Sequence, residues 1–251
     1  MLHNKTIGSY YSTNSRIHKM NPLIKIICTF LFVLMVFINN NIKIAILEGV
    51  FLILLLLISN VPIKIYLKQV FYLKWIILFL IIVNIILKVD LIITIITILR
   101  LIYTILYTSI LTFTTTTFDI TDGLRKFLSP LKVFKVPVNK MAFMVSLALR
   151  FISTITNQGY KIMKSQASRG LDYNNSNLKL KIISIKSLVI PIFNKSIKMA
   201  DALAETLSLR LYDINKTNYN NHKIKLYDIF ILIVHISVLL LVVKEVILWD
   251  I

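Results

Sequence analysis

Five long apolar runs constrain this chain more than any other feature of its sequence. They cover residues 22–38, 44–59, 75–87, 91–113 and 229–248. A helix needs about 20 residues to cross the hydrocarbon core of a bilayer, and these runs reach or approach that length. Of the 251 residues, 57% are hydrophobic, against about 45–50% in soluble domains. We therefore predict an all-α polytopic membrane protein with about five transmembrane helices.

The sequence divides into a polar N-terminal arm, a membrane domain of about four helices, a polar insert and a final membrane helix. These four segments cover residues 1–21, 22–113, 114–225 and 226–251. Of the 29 Lys and Arg residues, 18 lie in the insert, together with only 6 of the 11 acidic residues. The apolar runs predict a multi-pass protein of the plasma membrane. Because Lys and Arg are enriched on the cytoplasmic side of membrane proteins, we expect its arm and insert to be cytoplasmic.

The net charge of +18 would suggest nucleic-acid binding in a soluble protein. No recognition motif of mixed basic and aromatic residues accompanies this charge, so we expect the lipid bilayer as partner and no nucleic acid. Cys28 is the only cysteine, and the four histidines have no metal-ligand spacing. We therefore expect neither a bound metal nor a cofactor.

The membrane segments carry the charged residues Lys25, Lys43, Glu48, Lys74 and Arg100. Lys25 and Lys43 lie near the ends of their runs, where a long side chain can extend to the interface. Glu48, Lys74 and Arg100 lie deeper. Intramembrane charge indicates a functional site by default, but we favour a simpler interpretation, in which these three residues face a partner or the interfacial side of a tilted helix.

The insert begins with a short helix in "TTTTFDITDGLRKFLSP". Asp119 or Thr121 is the expected N-cap, and Pro130 is the expected stop. The sequence "DITDG" also matches the start of a metal-binding motif of membrane CDP-alcohol phosphotransferases. That chemistry needs further aspartates on a facing helix, and the following "LRKFLSPLKVFK" contains no acid. Helix capping and first-turn roles are therefore favoured for Asp119 and Asp122.

Two long amphipathic helices are predicted over 136–170 and 178–213. The first repeats apolar residues at i, i+3 and i+4, carries too many polar residues to cross lipid, and ends at Arg169 before a glycine. The second ends at Arg210, and its Pro191 predicts a kink or break. Each helix therefore ends in a basic tip. The pattern leaves open whether the two helices cross or pack side by side.

No catalytic or nucleotide-binding motif accompanies these helices. The chain has no G-x-x-x-x-G-K-[ST] or G-x-G-x-x-G loop, no G-x-S-x-G elbow and no H-E-x-x-H pair. We therefore expect no catalytic residues in this chain. Two alternatives remain: a stand-alone membrane permease and a membrane-embedded phosphotransferase.

Several stretches resemble one family, the transmembrane T components of energy-coupling factor (ECF) transporters, which include the CbiQ-like proteins of cobalt uptake. The first is "GSYYSTNSRIHKMNPLIK", and the most specific is "TTTTFDITDGLRKFLSPLKVFKVPVNKMAFMVSLALRFI". The last two are "KIMKSQASRGLD" and "MADALAETLSLRLYD". The resemblance implies a scaffold that transmits the motion of two ABC ATPase subunits to a substrate-capture S component, for uptake of a vitamin or a transition-metal ion.

In that family, two coupling helices end in Ala-Arg-Gly-type motifs whose arginines dock into the ATPases. The resemblance places ATPase-docking residues at two tips in this chain. They are Ser168, Arg169 and Gly170 at the first tip, and Leu209, Arg210 and Leu211 at the second. Because leucine does not adopt a positive φ cheaply, we expect the second helix end to be built differently from the first.

Overall fold

A computed structural model describes residues 10–39, 41–170, 178–212 and 224–249. Within these ranges all regular structure is helical, with no strand. The all-α fold class is thereby confirmed. Part of the predicted N-terminal arm, residues 1–9, lies outside the described residues.

Nine α-helices and one short 3₁₀ helix follow one another along the described chain. In order they are α1 Pro22–Ile38, α2 Ile42–Ile58, α3 Ile63–Tyr72, α4 Lys74–Ile86, α5 Leu91–Thr114, α6 Thr117–Phe127, the 3₁₀ helix Ser129–Phe134, α7 Val138–Ala167, α8 Leu178–Leu209 and α9 Leu226–Trp249. The five predicted apolar runs correspond to α1, α2, α4, α5 and α9. The amphipathic α3 was not predicted as a separate helix.

Within the described residues, three helices are long and apolar enough to cross a membrane: α5, α7 and the part of α9 over Leu226–Glu245. A fourth span is formed if α3 and α4 count as one, although they are bent by 46° at the single residue between them. The helices α1 and α2 have 17 residues each. By length and composition α7 thus qualifies as a span, contrary to our expectation that its polar residues disqualify it.

The chain separates into two compact units. The membrane unit comprises Met1–Pro130 and Asn220–Ile251, and the hairpin unit comprises Leu131–Tyr219. In the membrane unit α1 packs against α5, α6 and α9. Its core includes a cluster of Phe32, Val36, Leu52 and Tyr107, each at most 6% exposed. The rings of Phe32 and Tyr107 stack with centroids 4.2 Å apart.

The ends of α1 and α6 show how local sequence fixes these helices. Asn21 caps α1, because its side chain accepts a hydrogen bond from the backbone N–H of Leu23. In α6 the cap is Thr116, whose hydroxyl accepts from the backbone N–H of Asp119 and donates to its carboxylate at 2.6 Å. The predicted caps Asp119 and Thr121 are therefore wrong, because the cap lies three residues before Asp119. The carboxylate of Asp119 instead accepts the hydrogen bond that the hydroxyl of the capping residue donates.

Candidate functional site

The hairpin unit is built from two long antiparallel helices, α7 and α8. Near the start of α7, the ring of Phe143 lies 5.3 Å from that of Tyr212, just beyond the end of α8. Further along α7, the amide of Gln158 donates to the sulfur of Met199 at 3.3 Å. Later residues of α7 therefore contact earlier residues of α8, which means that the two helices run antiparallel. The side-by-side arrangement, one of the two that the sequence left open, is the one observed.

The middle of the hairpin is a close approach between the two helices. A Cβ atom added to Gly159 of α7 would lie 3.3 Å from Cδ1 of Ile192, so a larger residue would have to push that side chain aside. The neighbouring Pro191 lies inside α8, which continues without interruption from Leu178 to Leu209. Of the kink or break predicted at Pro191, the break is therefore excluded.

The antiparallel arrangement places the two arginines at opposite ends of the hairpin. Arg210 lies beside Tyr212 and so near Phe143, at the start of α7. Arg169 lies two residues beyond Ala167, the last residue of α7, and so about 40 Å away along the helix axis at 1.5 Å per residue. Both arginines are exposed. The structure therefore does not bring the two predicted tips into one site but presents them as two separate ends.

The first tip is a tightened turn that ends on a left-handed glycine. The backbone N–H groups of Arg169 and Gly170 donate to the carbonyls of Gln166 and Ala167, both at 3.0 Å. Gly170 has φ +88°, and no atom of the described residues other than its chain neighbours lies within 4 Å of its Cβ position. Glycine adopts this conformation without steric cost, and it follows the arginine directly, as the sequence predicted. The α-helix itself ends two residues before the arginine, at Ala167.

The second tip has the same type of helix end without glycine. Leu211 adopts φ +47°, which lies in the left-handed region that disfavours residues with a Cβ. Its N–H donates to the carbonyl of Ser208 at 3.0 Å, and the N–H of Tyr212 donates to that of Leu207 at 3.0 Å. Our expectation that the second end is built differently is wrong for the left-handed residue, because leucine takes the place of glycine there. It is right for the last helical residue, which is Leu209, directly before Arg210, at the second tip and Ala167, two residues before Arg169, at the first.

The two tips also differ in their side chains. Leu209 is 78% and Leu211 is 90% exposed, so Arg210 lies between two apolar side chains in solvent. Arg169 lies between Ser168 and Gly170, which offer no comparable apolar surface. Large exposed apolar side chains indicate a surface that a partner covers. Among the described residues that directly flank the two arginines, they occur only at the second tip.

Both helices of the hairpin unit also expose apolar side chains along their length. On α7 the exposed residues include Met141, Met144 and Val145, and on α8 Ile183 and Phe193, each at least 47% exposed. Few described residues of this unit are buried. These long faces lack partners within the described unit, as expected for surfaces that contact lipid or another protein.

In the membrane unit a buried lysine joins three chain segments. Lys25 of α1 is 5% exposed, and its ammonium donates to the carbonyl of Thr114 at 2.9 Å, the hydroxyl of Thr115 at 3.1 Å and the carbonyl of His18 at 3.4 Å. The expectation that this side chain extends to the interface is therefore wrong. Its charge is stabilised by hydrogen bonds that tie α1 to the N-terminal loop and to the end of α5.

His18 organises the N-terminal loop at the same place. One ring nitrogen lies 2.9 Å from the carbonyl of Tyr11 and the other 2.7 Å from the hydroxyl of Ser15. Because a carbonyl only accepts, Nε2 donates to it and Nδ1 accepts from the hydroxyl. Burial lowers the pKa of His18, the carbonyl of Tyr11 opposes this, and the charge of Lys25 lowers the pKa further. A neutral imidazole therefore holds the loop.

A second polar cluster contains two of the intramembrane charges. Glu48 is 1% exposed and accepts from the side-chain amide of Asn39 at 3.2 Å. Arg100 donates to the backbone carbonyl of the same Asn39 at 2.7 Å and lies over the ring of Phe37. The cluster ties the turn between α1 and α2 to α5. For these two residues, contacts inside the chain replace the partner or interfacial contacts that we favoured.

Lys74 and His235 are two further polar residues of the apolar helices. Lys74 is exposed, and its ammonium lies 4.4 Å from the ring centroid of Phe71. His235 of α9 is buried, donates to the carbonyl of Ile231 at 2.8 Å and accepts from the hydroxyl of Tyr107 at 2.6 Å. In the described part of the chain no three His, Cys, Asp or Glu side chains form a group that could hold a metal ion.

Comparison with known sequences places this arrangement in a family. The sequence profile described as cobalt transport protein, CbiQ, matches residues 13–219. This match covers both predicted tips, the buried Lys25 and most of the loop that contains His18. It thus includes most of the membrane unit and the whole of the hairpin unit.

Several curated relatives are similar over most of their length. The energy-coupling factor transporter transmembrane protein EcfT of Bacillus subtilis is 33% identical over 228 residues, which cover 84% of this chain and 86% of that protein. The proteins of the same name from Ruminiclostridium cellulolyticum and Heliobacterium modesticaldum are 32% and 33% identical over 227 residues each. Both of those matches cover 84% of this chain and 85% of the relative.

Proposed function

The chain belongs to the CbiQ family of energy-coupling factor transporter transmembrane proteins, and on this premise we propose that it couples ATP hydrolysis to solute uptake. Two ABC ATPase subunits bind the two tips and hydrolyse ATP. A separate S component captures the solute, a vitamin or a transition-metal ion, in the membrane. This chain is the scaffold between them and itself performs no catalysis.

The observation that carries this proposal is the pair of exposed arginines at opposite ends of one packed hairpin. A planar guanidinium can make bidentate, charge-assisted hydrogen bonds to acidic or carbonyl groups of a partner. Because Arg169 and Arg210 lie about 40 Å apart along α7, one globular domain can bind at each end. Two bound ATPases that close on ATP would then move the two ends of a stiff helix pair.

The exposed apolar faces support the second part of the proposal. Side chains such as Met144 and Phe193 need a lipid or protein partner, and a membrane-embedded S component supplies an apolar surface of this kind. Movement of the helix pair by the ATPases would thereby reach the solute-binding partner. The surplus of basic residues in the insert favours a cytoplasmic location for the hairpin unit, where ATP is available.

Charge reversal at each tip tests the proposal. In cells that depend on this chain for uptake of a labelled vitamin, Arg169→Glu and Arg210→Glu are each expected to lower ATP-dependent uptake by at least about tenfold, since charge-assisted hydrogen bonds contribute about 1.5–3 kcal/mol. Arg150→Glu is the matched control, because Arg150 is an exposed arginine in the middle of α7. The control is expected to keep most of the uptake.

Two results would contradict the proposal. One is normal uptake by either tip variant at a normal level of protein in the membrane. The other is an equal loss of uptake in Arg150→Glu, which would assign the effect to the overall charge of the hairpin unit rather than to its tips.

A further inference from the structure

The short helix α3 packs one face firmly against the membrane unit. Tyr66 is 2% exposed, its hydroxyl lies 3.1 Å from that of Ser59, and its ring lies edge-on to Phe113 with centroids 5.5 Å apart. The hydroxyl of Ser109 donates to the side-chain carbonyl of Gln69. Both α5 residues belong to its C-terminal half. This inner face therefore fixes the orientation of α3 on the membrane unit.

The opposite face of α3 combines an apolar row with a basic row. Ile63, Leu67 and Phe71 are each at least 56% exposed and recur every four residues, so they lie along one side of the helix. Lys64 and Lys68 are exposed and lie beside them with the same spacing. Since the sequence has no acidic residue between positions 60 and 89, nothing along this segment neutralises the two lysines.

Aromatic side chains flank the basic row. The ammonium of Lys68 lies 5.9 Å from the ring centroid of Tyr72, and that of Lys74 lies 5.8 Å from that of Trp75. Trp75 is 70% exposed. Tyrosine and tryptophan are enriched at the depth of the lipid headgroups, where one part of the ring is in hydrocarbon and the polar group is in water. The outer face thus has the composition of an interfacial helix.

Because of the 46° bend between α3 and α4, the axis of α3 points in a different direction from that of α4. The apolar α4 continues beyond Leu73, the single residue between the two helices. A basic amphipathic helix that leaves the line of an apolar helix is positioned to lie along the membrane surface.

We propose that α3 is a binding surface for anionic phospholipid headgroups. Its apolar row enters the hydrocarbon boundary, while Lys64 and Lys68 bind headgroup phosphates with Lys74 beside them. This contact anchors the membrane unit in the leaflet next to the C-terminal end of α5. The inference depends on the membrane location of the chain and is independent of ATPase docking at the two tips.

Trp75 provides a direct test, because the chain has only one other tryptophan, Trp249. The full chain with Trp249→Phe is reconstituted into vesicles of phosphatidylcholine and phosphatidylglycerol, with brominated chains on one lipid at a time. Quenching of Trp75 fluorescence is expected to be at least about twofold stronger when the anionic lipid carries the bromine, since each nearby lysine attracts anionic lipid. In about 0.5 M salt the preference is expected to disappear.

Lysine variants separate a local contact from the overall charge. Lys64→Gln with Lys68→Gln removes two outward-facing charges and is expected to abolish the preference, whereas arginine at both positions keeps it. The matched control is Lys43→Gln with Lys88→Gln. These two exposed lysines lie at the start of α2 and just before α5, away from the end of α5 that α3 contacts.

Three outcomes overturn the proposal: equal quenching by the two brominated lipids in the parent chain, a preference that persists without Lys64 and Lys68, or an equal loss in the control pair. Far-UV circular dichroism and elution as one species confirm that each variant is folded. Binding of the ATPases does not enter the measurement, so a failure here leaves the proposed coupling function unaffected.

Discussion

The two ends of the hairpin unit share a backbone conformation and differ in chemistry. At both ends the residue after the arginine has a positive φ, +88° at Gly170 and +47° at Leu211. At the first tip this residue is glycine, whereas at the second it is a leucine with 90% of its side chain exposed. A leucine in this conformation costs about 1–2 kcal/mol. The second tip thus combines an unfavourable backbone conformation with an exposed apolar side chain.

This difference suggests that the tips bind partners in different ways. At the first tip the described residues that flank Arg169, Ser168 and Gly170, are small, which suits a polar groove. At the second tip Leu209 and Leu211 flank Arg210, which suits a groove with apolar walls around a polar floor. The predictions below test whether the backbone conformation or the apolar side chains determine the behaviour of each tip.

The largest effect is expected from removing the two leucines. Leu209→Ser with Leu211→Ser should weaken ATPase binding at the second tip by at least about tenfold, since burying one leucine contributes about 1.5–3 kcal/mol. Both side chains are exposed in this chain, so its own stability should stay the same within about 0.5 kcal/mol. Binding of purified ATPases to the chain in nanodiscs measures the first quantity. Unchanged affinity would show that the leucines do not enter a groove.

An effect of intermediate size is expected from substitutions at the two residues that have a positive φ. Gly170→Ala places a Cβ at φ +88° and should destabilise the first tip by about 1 kcal/mol. Leu211→Gly relieves the same type of strain but makes the unfolded chain more flexible, so the two contributions should nearly cancel. Hydrogen exchange at the N–H groups of Gly170 and Tyr212 reports the two helix ends separately. Slower exchange in Gly170→Ala than in the parent would disprove the role assigned to the glycine.

The smallest effect is expected in the middle of the hairpin, where both tips should respond alike. In Gly159→Ala the new Cβ lies 3.3 Å from Cδ1 of Ile192, the far end of a flexible side chain that can move. Alanine in a helix is favoured over glycine by about 1 kcal/mol, and the close contact offsets part of this gain. Thermal unfolding should show a net stabilisation of about 0.5 kcal/mol, with equal changes in exchange at the two ends. A response at one end only would mean that the helices do not transmit changes along the whole hairpin.

The sequence predicted the apolar helices closely because their signal is local. The run at 22–38 coincides with α1, since Pro22 begins the helix and Asn21 caps it. The separate α3 was missed because no Pro or Gly marks the bend at Leu73, which depends on packing of Tyr66 and Gln69 against α5.

The polar contacts were not predictable from the sequence. The sequence singled out Glu48 and Arg100 and favoured a partner or the interface as their surroundings, whereas their common contact Asn39 comes from a turn 61 residues before Arg100. Lys25 was expected at the interface because of its position in the run. Its partners Thr114 and Thr115 become neighbours only when α5 packs against α1.

The tips show the same limit. Arginine followed by glycine predicted the first helix end from local propensity. The second end could not be predicted from propensity, because Leu211 takes a conformation that leucine normally avoids. Placement of the two tips at opposite ends depended on the antiparallel packing of α7 and α8, which the helical pattern had left open.

Site-directed cross-linking tests the central claim that each tip contacts its own ATPase. Cys28 is the only cysteine and is 2% exposed, so a chain with Cys28→Ala can carry one new cysteine at Ser168, at Leu209 or, as a control, at the exposed Ser153 in the middle of α7. In the assembled transporter, Ser168→Cys and Leu209→Cys should each cross-link to an ATPase subunit, and the two together should capture two subunits per chain. The control should capture none. Failure of both tip positions to cross-link, or equal cross-linking at Ser153, would contradict docking of the ATPases at the two tips.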